Sequence, residues 1–193
     1  MRCFVAVDVP GEVRTRVAAL TERLRQSAPR ADVRWSVENV HLTLKFLGEV
    51  PDARVPDVAR GLEAVAARHA RLMVEAAGTG GFPSASRPRV VYVGIRGQVD
   101  ALARLAAAVD GALETLGFSG ERRPFRAHLT VGRVRSPRGG EGLAGALRAA
   151  AGETAGTWTL DEVLLYRSRL HPRGAVHEVI ARFPLSGSGP GDP

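Results

Sequence analysis

Two short segments of this chain have the same form. His41-Leu42-Thr43-Leu44 and His128-Leu129-Thr130-Val131 each alternate a polar with an apolar side chain. Successive side chains of a strand point to opposite faces. His41, Thr43 and Lys45 therefore share one face, and Leu42, Leu44 and Phe46 the other. In the second segment His128 and Thr130 face one way, Leu129 and Val131 the other. An apolar face must be covered, so each segment is expected to be a strand with one side on a core and one side open. Five histidines and nine threonines predict about 0.2 His-x-Thr triplets by chance. Two occur, both with leucine in the middle, which favours a site over two ordinary exposed strands.

The rest of the chain supplies the frame. Residues 2–8 read as a strand that stops at Pro10-Gly11. Val13, Val17, Leu20 and Leu24 fall at helical spacing, which predicts an amphipathic helix over 11–27. Strands are expected at 32–37 and 40–48, a helix at 52–69 and a strand at 71–77. Residues 78–84 are glycine-rich and read as a loop, without the Gly-Lys-Ser/Thr ending of a nucleotide-binding loop. Residues 89–95 are a β-branched strand, 98–117 a helix, 125–134 the second motif strand and 141–151 a short helix. Two strands, 157–166 and 175–185, flank a turn at His171-Pro172-Arg173-Gly174. This order does not suit a doubly wound parallel sheet. It suits an α+β fold of antiparallel sheets with helices on one face. Residues 1–185 read as one bilobal domain and 186–193 as a disordered tail of Ser, Gly, Pro and Asp.

Composition excludes more than it assigns. No apolar run reaches the length of about 20 residues that a membrane helix needs, and the N-terminus reads as a strand rather than a signal peptide. A cytoplasmic protein is expected. The lone Cys3 has no disulfide partner in the chain and reads as a small buried strand residue. His69, His171 and His177 show no metal-ligand spacing, so neither metal nor cofactor is expected. The formal net charge of +7 favours an anionic partner. Its weight is limited, because 26 of the 27 basic residues are arginine in a chain crowded with Ala, Gly and Val, the mark of a codon bias.

Paired histidines beside hydroxyls suit phosphodiester hydrolysis. The reaction needs a base to activate water and an acid to protonate the departing alkoxide, and imidazole can serve as either near neutral pH. The Thr43 and Thr130 hydroxyls can donate to the non-bridging phosphoryl oxygens, where charge grows in the transition state.

The chain resembles the RNA 2′,3′-cyclic phosphodiesterase family, historically called 2′-5′ RNA ligase, of the two-histidine phosphoesterase superfamily. The likeness runs from Arg2-Cys3-Phe4-Val5-Ala6-Val7-Asp8 through Glu38-Asn39-Val40-His41-Leu42-Thr43-Leu44-Lys45-Phe46-Leu47-Gly48-Glu49, Gly81-Phe82-Pro83 and Pro88-Arg89-Val90-Val91-Tyr92-Val93-Gly94. It continues in Pro124-Phe125-Arg126-Ala127-His128-Leu129-Thr130, Leu165-Tyr166-Arg167-Ser168 and Arg182-Phe183-Pro184-Leu185. The resemblance implies a bilobal fold with two antiparallel sheets lining a central cleft, helices outside and one motif in each lobe. It implies that His41 protonates the leaving 3′ oxygen and His128 activates water, leaving a 2′-phosphate. It also implies RNA with 2′,3′-cyclic phosphate ends as partner, tRNA fragments among them, and no obligate protein partner. The family usually has proline before the second histidine, where this chain has Ala127, and often an aromatic near the C-terminus, where it has His177.

Other residues have two readings each. Arg133 matches a family arginine that could clamp phosphate, but strict alternation turns it away from the cleft unless the strand bulges. Lys45 is either a phosphate contact or a solvated strand lysine. Phe82 and Phe125 either stack on bases or pack in the core, and Trp35 is either at the cleft mouth or in the core. Ser168 has no derivable role. Competing functions are a phosphodiesterase on another 2′-5′ linked or small cyclic nucleotide, and an RNA-binding module with little turnover.

Overall fold

The computed structural model describes residues 1–136, 139–171 and 174–187. In chain order it contains β1 (Arg2–Val7), α1 (Gly11–Ser27), β2 (Val33–Trp35) and β3 (Leu42–Glu49). A 3-10 turn at Asp52–Arg54 leads into α2 (Val55–Ala66), followed by β4 (Leu72–Phe82), β5 (Val90–Gly97) and α3 (Val99–Glu114). The second half comprises β6 (His128–Val134), α4 (Leu143–Ala149), β7 (Thr154–Leu160), β8 (Glu162–His171) and β9 (Gly174–Pro184). Helix α1 has the predicted bounds, because its buried residues Val13, Val17, Leu20 and Leu24 recur at the helical period. No helix among the described residues is long and apolar enough to cross a membrane.

All strand pairs are antiparallel, in the order β7-β4-β5-β6-β3-β1-β8-β9, with β2 also paired to β6. The order is palindromic about its middle: β6 is to β5 as β3 is to β1. The two halves meet at one residue pair, Leu42 opposite Leu129, so the two expected sheets form one curled surface hinged at that point. Helices α1 and α4 pack on the β7-β4 side, and α2 and α3 on the β3-to-β9 side. Thus α1, which follows β1 in sequence, covers the other half. A single hydrophobic core joins both halves, with Val5, Leu42 and Leu62 in the same cluster as Val93, Leu129 and Leu160.

Three expectations about elements fail for tertiary reasons. Residues 78–82 are not a loop but the end of β4. Their glycines serve close approach: a methyl on Gly80 would collide with the Tyr92 ring, and one on Gly81 with Pro88. The strand expected at 157–166 is two strands broken at exposed Asp161, with β7 beside β4 in one half and β8 beside β1 in the other. The tail expected from residue 186 begins bonded to the fold, since the Ser186 and Gly187 N–H groups donate to the carbonyls of Ala66 and His69; residues 188–193 lie outside the described ones. The expected turn is closed by the His171–Gly174 pair, with residues 172–173 likewise outside.

Both motif strands carry a bulge just past the threonine. Where β3 pairs with β1 the register passes from Val5–Lys45 to Ala6–Thr43, which leaves Leu44 unopposed. Where β6 pairs with β5 it passes from Val91–Gly132 to Tyr92–Thr130, which leaves Val131 unopposed. An extra residue reverses the alternation beyond it. Leu44 and Lys45 are both buried as a result, and Phe46 is 66% exposed. Val131 and Gly132 are both buried, and Arg133 is exposed.

The sequence expectation for Lys45 and Phe46 is therefore inverted. Lys45 is 5% exposed and turns away from the cleft. Its ammonium pairs with the Asp110 carboxylate on α3 and donates to the Ser119 carbonyl at 2.7 Å. The Asp110 carboxylate also accepts from the Glu121 N–H at 3.1 Å. Partial burial raises the Asp110 pKa, but these bonds outweigh it and hold the carboxyl below its ordinary value. Lys45→Met leaves that carboxylate without its cation and should lower the unfolding free energy by about 2–3 kcal/mol in urea titrations. Loss of nucleotide affinity at unchanged stability would instead return Lys45 to the cleft.

Candidate active site

The Leu42–Leu129 pair sets the geometry of the site. Its side chains are fully buried. One residue to either side, the antiparallel register brings His41 across from Thr130 and Thr43 across from His128, on the opposite face from the leucines. Each histidine thus faces the other motif's threonine.

The two imidazoles are held in the same way. Nδ1 of His41 lies 2.7 Å from the Asn39 carbonyl, and Nδ1 of His128 lies 2.6 Å from the Arg126 carbonyl. A carbonyl only accepts, so Nδ1 carries the hydrogen and Nε2 is left as the atom for acid–base work. Each ring rests on an aromatic pair. His41 lies 4.7 Å from Phe4, which stacks on Tyr166 at 4.9 Å. His128 meets Phe82 edge-on at 4.9 Å and Tyr92 at 5.5 Å, and those two rings are 4.5 Å apart. The space at Gly80 is what admits Tyr92.

These surroundings keep both imidazoles neutral. Burial pushes the His41 pKa down to about 4, against support from the Asn39 carbonyl; His177 lowers it further and Asp8 raises it. Burial also lowers His128, against support from the Arg126 carbonyl, and the charge of Arg133 lowers it further. At His41 the neighbouring His177 and His128 lower the value and Asp8 raises it, whereas at His128 the charged neighbour is Arg133.

An open cleft of about 820 Å³ runs over this face. Of the residues singled out in the sequence, His41, Thr43, Thr130 and Arg133 line it, as do Trp35, Ser168 and His177. Arg133 reaches it because of the bulge at Val131. His128, on the same strand as Thr130 and Arg133, packs against Phe82 and Tyr92. Three expected contacts are not brought there. Lys45 is in its buried ion pair, Phe82 is occupied by Tyr92 and His128, and Phe125 packs half-buried against the core. His69 bonds to the Val65 carbonyl, away from the cleft. His177 on β9 is half-buried and lies 5.2 Å edge-on to His41, and its Nδ1 has no hydrogen-bond partner among the described residues. Among the described residues no three His, Cys, Asp or Glu side chains gather as a metal site would require.

Sequence reasoning missed Phe46, Arg2 and Arg34 on the cleft wall. It also missed the aromatic backing by Tyr92 and Tyr166. The one usable signal was that Phe46 and Arg133 each follow their motif histidine by the same number of residues.

Comparison with known proteins agrees with this arrangement. The chain matches the LigT-like phosphoesterase family twice, over residues 7–92 and 93–177, one motif in each match. The chain belongs to the LigT-like phosphoesterase family. An RNA 2′,3′-cyclic phosphodiesterase of Archaeoglobus fulgidus is 34% identical over 183 residues, covering 95% of this chain and 99% of that protein. One from Thermotoga maritima is 32% identical, covering 97% of each. The crystal structure of TT0787 of Thermus thermophilus superposes with a TM-score of 0.77 at 31% identity, covering 98% of this chain and all of that one. E. coli LigT complexed with 3′-AMP shares the fold at a TM-score of 0.74 and 24% identity, covering 96% of this chain and 98% of that one. The palindromic strand order thus belongs to a LigT-like fold built from two matching halves.

The lowered His41 pKa carries a cost in stability. Its folded-state value of about 4 lies below the ordinary 6.5 of the unfolded chain. Between those values the unfolded state binds the proton more readily, so this group's contribution is intact above pH 6.5 and is lost as pH falls toward 4. Unfolding free energy should therefore drop more steeply from pH 7 to 4.5 in the wild type than in His41→Asn, by about 1–3 kcal/mol. Parallel pH curves in denaturant titrations would show that His41 is not held neutral.

Proposed function

We propose that this protein is an RNA 2′,3′-cyclic phosphodiesterase that opens the terminal cyclic phosphate to a 2′-phosphate. The observation that carries the reading is the pairing of two neutral imidazoles, Nε2 available on each, across from the two motif threonines. The curated relatives of the same length bear that activity in their names.

The arrangement supports the following chemistry. His128 Nε2 takes a proton from water as its oxygen bonds to phosphorus. The P–O3′ bond breaks on the opposite side, and His41 gives a proton to O3′. Thr43 and Thr130 hydroxyls donate to the non-bridging oxygens, and the Arg133 guanidinium balances their charge. An acid must be protonated when the substrate is bound, and the anionic phosphate itself raises both imidazole pKa values. The assignment of His41 as acid and His128 as base follows the family resemblance; Asp8 favours a proton on His41 while burial and His177 oppose it, and burial and Arg133 disfavour one on His128. A 5′-hydroxyl entering in place of water would make a 2′-5′ linkage through the same bond changes. The lone cysteine is buried, in keeping with a reducing compartment, and the proposed setting is the cytoplasm.

The test is an RNA oligonucleotide ending in 2′,3′-cyclic phosphate. The expected product carries a 2′-phosphate and a free 3′-hydroxyl; a 3′-phosphate would reverse the leaving group. His41→Ala and His128→Ala should each cut turnover about 10²–10⁴-fold. A substrate with sulfur at the 3′ bridging position expels a thiolate that needs no acid. It should restore turnover to His41→Ala but not to His128→Ala, and the opposite pattern would exchange the two roles.

A further inference from the structure

One wall of the cleft carries polar side chains that the proposed reaction does not use. It is the β8-β9 hairpin, whose Ser168, Ala175, Val176 and His177 line the cleft. Ser168 and His177 stand directly opposite each other in the antiparallel register. Opposed residues share a face, with Cβ atoms about 4.5–5.5 Å apart. The hairpin thus brings a hydroxyl and an imidazole side by side, as the motif strands do where His41 faces Thr130 and His128 faces Thr43. The next rung, Arg167 with Glu178, belongs to the other face and is closed by its own ion pair at 2.6 Å.

This wall is tied to His41. The Asn39 side-chain amide donates to the Ala175 carbonyl at 3.2 Å, and the Asn39 carbonyl is the one that holds His41 Nδ1. The His177 ring lies edge-on to His41 at 5.2 Å and to Phe4 at 4.9 Å. Its Nδ1 is buried without a hydrogen-bond partner among the described residues. A hydrogen on that atom would be a buried donor with no acceptor, which is costly. The ring is therefore neutral, with its hydrogen on Nε2. Burial, which lowers the His177 pKa, acts in the same sense. His41 and His128 have the opposite tautomer. They offer Nε2 as a proton-exchanging atom, whereas His177 offers an N–H that stays in place.

We infer that the His177 Nε2–H and the Ser168 hydroxyl form a hydrogen-bonding pair for O3′, the ribose oxygen that leaves phosphorus beside His41. The inference rests on the proposed phosphodiesterase reading and deepens it. As the P–O3′ bond breaks, negative charge grows on O3′, and fixed donors stabilise it there. His41 supplies the proton that ends on O3′; His177 and Ser168 donate hydrogen bonds and keep their hydrogens. Neutral donors suit a sugar oxygen, while the cleft's cations, Arg2, Arg34 and Arg133, suit phosphate. In the product the same pair meets the new 3′-hydroxyl.

Calorimetry with 2′-AMP and its 3′-deoxy analogue tests the contact without turnover. The wild type should bind 2′-AMP about fivefold to tenfold more tightly than the analogue. His177→Phe keeps a ring beside His41 but has no N–H. It should abolish that preference and leave affinity for the analogue within about twofold, and Ser168→Ala should reduce the preference about threefold. His177→Gln, whose amide returns a donor close to Nε2, should recover it. Equal binding of the two ligands by the wild type would overturn the pair. So would a preference unchanged in either loss variant, or a His177→Gln protein that behaves like His177→Phe. With adenosine 2′,3′-cyclic phosphate, His177→Phe should lower kcat about tenfold. The loss should shrink when sulfur replaces O3′, because a thiolate accepts hydrogen bonds poorly, and an equal loss on both substrates would overturn the role at O3′. A wild type that distinguishes the two ligands yet opens no cyclic phosphate would keep the contact and remove the proposed activity, so the two failures are distinct.

Discussion

The site depends on one contact, the pairing of Leu42 with Leu129. Elsewhere neighbouring strands in each half pair over several residues, but among the described residues the two half-sheets are strand-paired only there. Because the register is antiparallel, that pair brings the two histidines and two threonines onto one face from strands far apart in sequence. Because it is a single pair, the strands diverge on either side and leave a cleft rather than a closed sheet. The two fully buried leucines contribute no more than any core pair, about 1.5–3 kcal/mol each. Their importance is positional, since a one-residue slip would turn every motif side chain to the wrong face.

The bulges decide what else reaches the cleft. Strict alternation beyond the threonines would have brought Lys45 to the substrate and hidden Phe46 and Arg133. One extra residue in each strand does the reverse. Lys45 becomes a buried tie to Asp110 on α3 and to the Ser119 carbonyl, in the connection leading to the second motif strand. The residue that best resembles a phosphate ligand in the sequence is thus part of the scaffold, and the catalytic face receives an aromatic and an arginine in its place.

This shows where sequence was readable. The face shared by each His and Thr was legible because alternation holds over those three residues and needs only local geometry. Helix α1 was legible for the same reason, its buried stripe lying within its own residues. The bulges were not, because they are set by how β3 meets β1 and β6 meets β5. Nor was the strand character of Gly78–Phe82. Glycine there signals not a turn but room for the Tyr92 ring and Pro88, which come from elsewhere in the chain. The break at Asp161 was hidden too, since the residues on both sides suit strands and only the tertiary arrangement sends them to different halves.

The aromatic backing holds the two matching imidazoles in a partly water-excluded setting. Phe4 with Tyr166 and Phe82 with Tyr92 remove water from one side of each ring, and both histidines rest uncharged. Two resting cations would repel each other across a narrow site, and a permanently charged acid would be a poor partner to a neutral base of the same kind. A neutral pair avoids both costs and leaves the charging step to the substrate. The phosphate brings the negative charge that stabilises an imidazolium, and it does so only when it is in the cleft. The matching halves differ in what surrounds each ring: His177 and Asp8 act on His41, Arg133 on His128. The duplicated fold supplies histidine and threonine in equal pairs, and the departures from its symmetry distinguish the surroundings of the two rings.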